Sequence, residues 1–324
     1  MRTVKLLAAL LAALLVVALI ACGDDDDDRG DASPTDAPAT SATAQETDPP
    51  ADSAFPLTVT DDAGIEFTFD EAPQSIVALA PSFVEVLYAV GAGDAIVAAD
   101  QNTDYPPEAA DIPRISGFDP SVEAIAGYEP DLVLMCCFDA GGLQGALMDI
   151  DIPTMYFDSP ATIDGVYEQI VTIGEVVGAG NEVEAIVGGM EADIDAIVSA
   201  IPARGHAPSY YFELDVALFT VGPGSFPHEV FTLLGAENVA DATGEAYPQL
   251  SAEAIIAGAP DVIFLADADF GESAETVASR PGWDVIPAVV NDRVYPVPAA
   301  VLSRPTPRLV DDIELVADLL YPES

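Results

Sequence analysis

Lysine is almost absent from this chain. Lys5 is the only lysine among 324 residues, whereas aspartate and glutamate together number 56 and the formal net charge is -47. Nucleic acids are bound through clustered basic side chains that neutralise phosphates, so the composition argues against a nucleic-acid partner. Abundant carboxylates keep a surface hydrated while salt screens their repulsion, which is typical of proteins from high-salt habitats.

Histidine and cysteine are also scarce, with two and three residues respectively. Manganese and zinc sites use clustered histidines with carboxylates, so the sequence argues against such a site. Two histidines leave little general-base chemistry, and the chain has no G-x-G-x-x-G after a strand, no P-loop and no G-x-S-x-G elbow. We therefore predict that the protein is not an enzyme and holds no resident cofactor.

The N-terminus has the layout of a secretory signal. A basic head precedes an apolar run of about fifteen residues, shorter than the roughly twenty that span a membrane, although a transmembrane anchor is the alternative. Leu19-Ile20-Ala21-Cys22 resembles a bacterial lipoprotein cleavage box, which implies removal of residues 1–21 and lipid attachment at Cys22. The next segment is rich in aspartate and poor in large apolar residues, so we predict that residues 22–54 are a disordered acidic tether outside the cell membrane.

An internal repeat indicates two similar lobes. SVEAIAGYEPDLV (Ser121–Val133) and SAEAIIAGAPDVI (Ser251–Ile263) align without a gap, and upstream of them EVLYAVGAGD (Glu85–Asp94) matches EVFTLLGAEN (Glu229–Asn238). Ser121 and Ser251 are candidate helix N-caps, and the proline in each copy precedes a buried strand.

Short apolar runs alternate with helical patterns along the rest of the chain, which favours parallel sheets with helices on both faces. An apolar stripe within residues 182–201 predicts one long helix between the lobes. We therefore predict two Rossmann-like α/β lobes, residues 55–180 and 203–324, joined by a single helix at residues 181–202, with a ligand cleft between them.

Several ordered stretches from about Pro56 to the end resemble the cobalamin and ferric-siderophore group of solute-binding proteins of ABC importers. They are PLTVTDDAGIEFTF before PQSIVALAPS, TDYPPEA at Thr103–Ala109, GPGSF at Gly222–Phe226, LLGAENV, and SRPTPRLV at Ser303–Val310. The resemblance is strongest to the cobalamin-binding members. It implies a lipid-anchored, monomeric receptor that captures a small molecule and delivers it to an ABC permease with a cytoplasmic ATPase.

The resemblance also implies a docking role for one glutamate on each lobe, which pairs with permease arginines. The matching positions are Glu123 and Glu253, the acids of the internal repeat. The alternative is that both residues only stabilise the helix N-termini through the helix dipole.

Ligands of such sheets meet the loops at the carboxyl ends of the strands. Flat ligands favour aromatic walls, and the cobalamin binders carry tryptophans where this chain has Phe118, Phe138 and Tyr247. Arg304 matches a cleft arginine of the family; the alternative is a salt bridge to one of the many acids. The predicted ligand-binding residues are Pro81, Ser82, Tyr105, Phe118, Phe138, Tyr247 and Arg304.

Three residues with metal-binding side chains stay open to several interpretations. Adjacent Cys136 and Cys137 are interpreted as two free thiols, one buried and one partly exposed, with a metal ligand or a vicinal disulfide as alternatives. His228 is interpreted as structural, with iron ligation as the alternative.

The expected ligand is a corrinoid. A ferric siderophore or haem is the alternative. Haem stays a candidate because tyrosine and histidine ligate its iron, and the chain offers Tyr105, Tyr247 and His228. A surface adhesion lipoprotein is a further alternative, which would lack a closed cleft and a partner permease.

Overall fold

The computed structural model describes residues 54–137, 139, 141–202 and 206–322. The described residues form one compact unit. The predicted signal segment, the lipidation site Cys22, nearly all of the tether and the candidate ligand residue Phe138 lie outside the described residues. Within the described residues, no helix is both long enough and apolar enough to cross a membrane.

A short antiparallel hairpin begins the described chain. Its strands are β1 (Leu57–Thr60) and β2 (Glu66–Phe69), with Leu57 opposite Phe69. The burial of β2 alternates, so that Phe67 and Phe69 face the core while their neighbours face water.

The first lobe is a five-stranded parallel sheet in the order β5-β4-β3-β6-β7. The strands are almost fully buried, as expected for a sheet with helices on both faces. They are β3 (Ile76–Ala78), β4 (Ile96–Asp100), β5 (Arg114–Ile115), β6 (Leu132–Cys136) and β7 (Thr154–Phe157), and the helices are α1 (Pro81–Ala89), α2 (Val122–Ala126), α3 (Leu143–Met148) and α4 (Ile163–Val176).

The second lobe is a four-stranded parallel sheet in the order β11-β10-β8-β9. Its strands are β8 (Ser209–Glu213), β9 (Glu237–Asn238), β10 (Val262–Leu265) and β11 (Val294–Pro296). Its helices are α6 (Phe226–Leu233), α7 (Ala252–Gly258), α8 (Ala274–Ala278), α9 (Pro287–Val290) and α10 (Leu309–Leu320).

One long helix, α5 (Gly180–Ala200), connects the lobes and would span about 30 Å. It buries Val183, Met190 and Ile194 and packs against α4 of the first lobe and α10 of the second. The predicted architecture of two α/β lobes with one connecting helix is therefore confirmed. One apolar core includes residues of both lobes, such as Phe83 of α1 and Phe212 of β8, so the two lobes pack against a common set of buried side chains.

The internal repeat has the same local structure in both lobes. The Ser121 and Ser251 hydroxyls each accept a hydrogen bond of 3.2 Å from the backbone N–H three residues on, which confirms both as N-caps. The aspartate after each proline then accepts a hydrogen bond at the start of the first strand of its sheet, from the residue before β3 in one lobe and from the first residue of β8 in the other. Asp131 accepts from the Ser75 N–H at 2.9 Å, and Asp261 accepts from the Ser209 N–H at 2.9 Å.

Candidate functional site

Each sheet has a topological switch point, at which successive strands stop being added on one side of the first strand and are added on its other side. In the first sheet, β3 lies between β4 on one side and β6 on the other; in the second, β8 lies between β9 and β10. Open parallel sheets bind ligands at such switch points, outside the carboxyl ends of the strands.

A cavity of about 400 Å³ lies where the two switch points face each other. From the first lobe it is lined by Pro81 and Ser82 after β3 and by Cys136 at the end of β6. From the second lobe, Leu214 after β8 and Ala266 after β10 reach the same space. The lining is predominantly apolar, and the volume falls in the lower part of the range of small-molecule sites.

Four of the predicted ligand residues line this cavity: Pro81, Ser82, Tyr247 and Arg304. Tyr247 is 55% exposed, so its ring is available at the cavity edge. Two others do not line it. Tyr105 lies in a separate cavity of about 510 Å³, where the Arg308 guanidinium stacks on its ring at 4.3 Å. Phe118 is 74% exposed and lies outside both linings.

The Arg304 guanidinium pairs with carboxylates of the other lobe. Its Nη1 donates to Glu85 Oε1 at 3.0 Å and to Asp104 Oδ1 at 2.6 Å. The hydrogen bond from Arg304 lowers the pKa of Asp104 below its usual range. Arg308 Nε lies 3.4 Å from Glu85 Oε2. The cation that lines the cavity is thus already neutralised, as the salt-bridge alternative anticipates, and any contact of Arg304 with a ligand stays a prediction.

The cysteine pair corrects the sequence interpretation. Cys136 and Cys137 form a disulfide in the structure, so the expectation of two free thiols is wrong. Sequence could not decide this, because a bond between adjacent cysteines needs a backbone geometry that composition does not reveal. Here Cys137 adopts a φ of 76° in the left-handed region, which is uncommon for a residue other than glycine.

His228 sits in a polar network of the second lobe. Its Nδ1 lies 3.4 Å from the Tyr210 hydroxyl, 3.3 Å from Asn238 Nδ2 and 3.7 Å from Asp241 Oδ1. Asn238 also donates to the Val221 carbonyl at 2.8 Å. These contacts favour the structural interpretation of His228. Among the described residues, no group of three or more His, Cys, Asp or Glu side chains could hold a metal ion.

Gln169 on α4 is a cavity residue that sequence reasoning missed. It is only 7% exposed, and its Oε1 has no hydrogen-bond partner among the described residues. A buried amide without a partner carries a desolvation cost, which is tolerated where a ligand can satisfy it. The signal was present in the sequence, because Gln169 interrupts the apolar stripe of Val166, Ile170 and Ile173.

A second missed group lies at the carboxyl edge of the second sheet. Arg280 donates to both oxygens of Glu213, at 2.6 and 2.5 Å, and to Glu272 Oε2 at 2.6 Å. Asp267, which occupies the repeat position of Cys137, is 2% exposed, and both of its oxygens lack partners among the described residues. Burial, with the Glu213 charge adding to it, raises the pKa of Asp267 to about 6.

The two predicted docking glutamates occupy matching positions. Glu123 and Glu253 are exposed and lie in the first turns of α2 and α7. These helices connect parallel strands, so their N-termini lie at the carboxyl edges of the sheets, the side on which the cavity opens. Hydrogen bonds from its own backbone N–H and from the Ser121 hydroxyl hold the pKa of Glu123 below its usual range.

Two parallel α/β lobes with one connecting helix and a shared cavity at their carboxyl edges define a solute-binding protein. The profile of the family described as periplasmic binding protein matches residues 76–301, and the chain belongs to this family. The family consists of binding proteins, so an enzymatic function is not indicated.

Two curated relatives match most of the chain. An uncharacterized ABC transporter substrate-binding lipoprotein of Bacillus subtilis, YvrC, is 31% identical over 83% of this chain and 87% of its own length. A cobalamin-binding protein of Halobacterium salinarum is 30% identical over 89% of this chain and 80% of its own length.

Solved structures agree with the fold. The periplasmic vitamin B12 binding protein BtuF of Vibrio cholerae is 27% identical with a TM-score of 0.62, over 76% of this chain and 96% of BtuF. A protein of an Fe3+-hydroxamate transport system from Saccharomonospora viridis is 26% identical with a TM-score of 0.67, over 82% of this chain and 99% of that chain.

Proposed function

We propose that this protein is the extracytoplasmic solute-binding component of an ABC importer and that it captures cobalamin or a related corrinoid. The observation that carries the proposal is the apolar cavity at the two facing switch points. Relatives that are named cobalamin-binding and vitamin B12-binding proteins match this chain over most of its length, which supports the ligand class.

The charge of the cavity lining favours a ligand with a neutral polar periphery. Arg304 is already paired with Glu85 and Asp104, so an anionic ligand would have to compete with two carboxylates. A corrin ring carries carboxamide groups around an extensive apolar face. Carboxamides could satisfy Gln169, and the ring could pack on Tyr247. A corrinoid is larger than a drug-sized ligand, so it would extend from the cavity into the open cleft.

A ferric siderophore or haem is the second candidate. The Tyr247 ring at the cavity edge favours it, because a tyrosine oxygen can ligate haem iron. The match to the Saccharomonospora viridis protein of an Fe3+-hydroxamate transport system supports the siderophore alternative.

Lipid on Cys22 would hold the protein at the outer face of the cell membrane, and residues 22–54 would serve as its tether. We expect a monomer that docks on an ABC permease through Glu123 and Glu253. The repetition of the same exposed, N-terminally placed carboxylate on both lobes supports this role, since a helix cap alone needs no duplication.

The test is a comparison of ligands by calorimetry in high salt, with cyanocobalamin, haemin and a ferric hydroxamate added separately to the compact unit of residues 50–324. Saturable binding of cyanocobalamin alone supports the corrinoid proposal. Binding of haemin or of the ferric hydroxamate in its place would contradict the corrinoid function and support a role in iron uptake. Binding of none by the folded protein would contradict both candidates.

A further inference from the structure

The Cys136–Cys137 disulfide stands in the wall of the proposed ligand cavity. Cys136 is the last residue of β6, and Cys137 follows at the edge of the first sheet. Both residues line the cavity, together with Pro81 and Ser82. The Cys137 N–H donates to the Phe157 carbonyl at 2.9 Å, which ties the pair to the end of β7. Cys137 is exposed, so a small molecule that enters the empty cavity can reach its sulfur.

We propose that this disulfide is a redox-sensitive ligand contact: in the oxidised protein the ligand packs on it, and thiol reductants cleave it when the cavity is empty. The ligand-contact part rests on the function proposed above. The accessibility to reductant does not, because it follows from the position of Cys136 and Cys137 in the cavity wall.

The oxidised pair offers a stiff apolar surface. Linked sulfurs lack S–H donors and are polarizable, which suits packing against a flat ring. Reduction replaces the bond with two weakly polar thiols and restores rotamer freedom to both side chains. It also frees Cys137 to leave its left-handed backbone conformation, which is disfavoured for a residue with a Cβ. A ligand would then meet a less organised wall and bind less tightly.

The chemistry is ordinary thiol–disulfide exchange. A thiolate of a dithiol reductant attacks one cysteine sulfur, the protein S–S bond breaks and a mixed disulfide forms. The second thiol of the reductant then displaces the remaining cysteine. The reductant loses two electrons and two protons and becomes a cyclic disulfide, and the protein gains two thiols. Disulfides persist outside the cytoplasm, so the oxidised form is expected where this family works.

The first experiment measures accessibility and protection. The unit of residues 50–324 contains only Cys136 and Cys137, so alkylation reports on this pair alone. The native protein is treated with dithiothreitol, with and without saturating cyanocobalamin, and iodoacetamide traps the thiols at timed intervals for mass spectrometry. We expect two alkylations only after reductant, and reduction about tenfold slower when the ligand concentration is about ten times its Kd, because only the ligand-free fraction is then attacked.

The second experiment measures affinity in each redox state. Protein that has been reduced, alkylated and desalted is titrated with cyanocobalamin beside oxidised protein and the Cys136→Ser/Cys137→Ser variant. Both altered forms should bind about tenfold more weakly while circular dichroism shows an unchanged fold. The serine variant should also be indifferent to dithiothreitol, unlike the parent. Equal affinities in all forms, or equal reduction rates with and without ligand, would overturn the ligand contact.

The two proposals can fail separately. If oxidised protein does not bind cyanocobalamin, the corrinoid function fails, and the ligand-free reduction experiment still decides the accessibility of the disulfide. Reduction of the folded protein within minutes supports an accessible redox site. Alkylation without any reductant, or reduction only after unfolding in denaturant, would contradict it.

Discussion

Arg304 of the second lobe donates through Nη1 to Glu85 Oε1 of the first lobe at 3.0 Å. The repeat partner of Glu85 makes the reciprocal connection, because Glu229 Oε2 of the second lobe accepts from the Ile163 N–H of the first lobe at 3.1 Å. The repeat therefore places one carboxylate in each lobe against the other lobe. Glu85 is only 4% exposed, so little water can replace the arginine as a partner of its carboxylate.

We expect Arg304→Ala to lower the free energy of unfolding by about 3 kcal/mol, because it leaves the buried Glu85 charge without its main partner. Chemical denaturation at neutral pH measures the loss. Glu85→Gln in the Arg304→Ala background should recover much of the stability. The control is Arg308→Gln, whose more exposed guanidinium is 3.4 Å from Glu85 and should cost less. Equal losses for both arginine variants would contradict the importance of the Arg304–Glu85 contact.

Asp267 should make stability depend on pH in a defined window. Its pKa is raised from 3.8 to about 6 in the folded protein, so the folded state holds a proton that the unfolded state has lost. The contribution of Asp267 to the free energy of unfolding therefore falls as the pH rises from about 4 to 6. Above about pH 6 the folded protein bears the full cost of burying the charged carboxylate. Glu213, Glu272 and Arg280 are the charged groups that face it.

Asp267→Asn should therefore raise the melting temperature at pH 7 and flatten its pH dependence between pH 4 and 6. The control is Asp269→Asn, an exposed residue in the same turn, which removes the same unit of charge from a very acidic protein. Thermal melts across this pH range compare the two. If both variants change the pH profile equally, the effect comes from net charge and not from the buried carboxylate.

Substitutions of the docking glutamates Glu123 and Glu253 should affect permease binding without affecting ligand binding. Glu123→Gln and Glu253→Gln should leave ligand affinity unchanged and weaken binding to the reconstituted permease, because both carboxylates are exposed and lie outside the cavity lining. Glu275→Gln is a matched control, since Glu275 also occupies the first turn of a serine-capped helix, α8. A loss of permease binding in the Glu275 variant as large as in the other two would favour a general charge effect.

Gln169→Leu should stabilise the protein and weaken ligand binding. The substitution removes a buried amide that lacks a partner, so the free energy of unfolding should rise by about 1 kcal/mol while cyanocobalamin affinity falls. Gln144→Leu is the control, because the Gln144 amide is equally buried but donates to Asp61 and to the Thr154 carbonyl. That change should lower stability by about 2 kcal/mol. Destabilisation by Gln169→Leu with unchanged affinity would show a purely structural role.

The local features of the fold could be predicted from sequence. The repeated motif predicts Ser121 and Ser251 as helix N-caps. The rule that ligands bind at the carboxyl ends of parallel strands predicts the position of Pro81 and Ser82 at the cavity. The features that sequence could not predict depend on three-dimensional geometry that no local sequence pattern specifies. Arg304 and Glu85 are 219 residues apart, so their pairing depends on how the lobes pack. The Cys136–Cys137 bond depends on a left-handed backbone that neighbouring residues do not specify.

Titration of residues 50–324 with cyanocobalamin, beside Tyr247→Ala and Phe270→Ala variants, is the direct test of corrinoid capture in the cavity. Tyr247 lines the cavity, whereas Phe270 is 83% exposed and lies outside its lining. We expect saturable binding that Tyr247→Ala weakens about tenfold and Phe270→Ala leaves unchanged. Absence of binding by the folded parent, or equal affinity in all three proteins, would contradict capture of a corrinoid in this cavity.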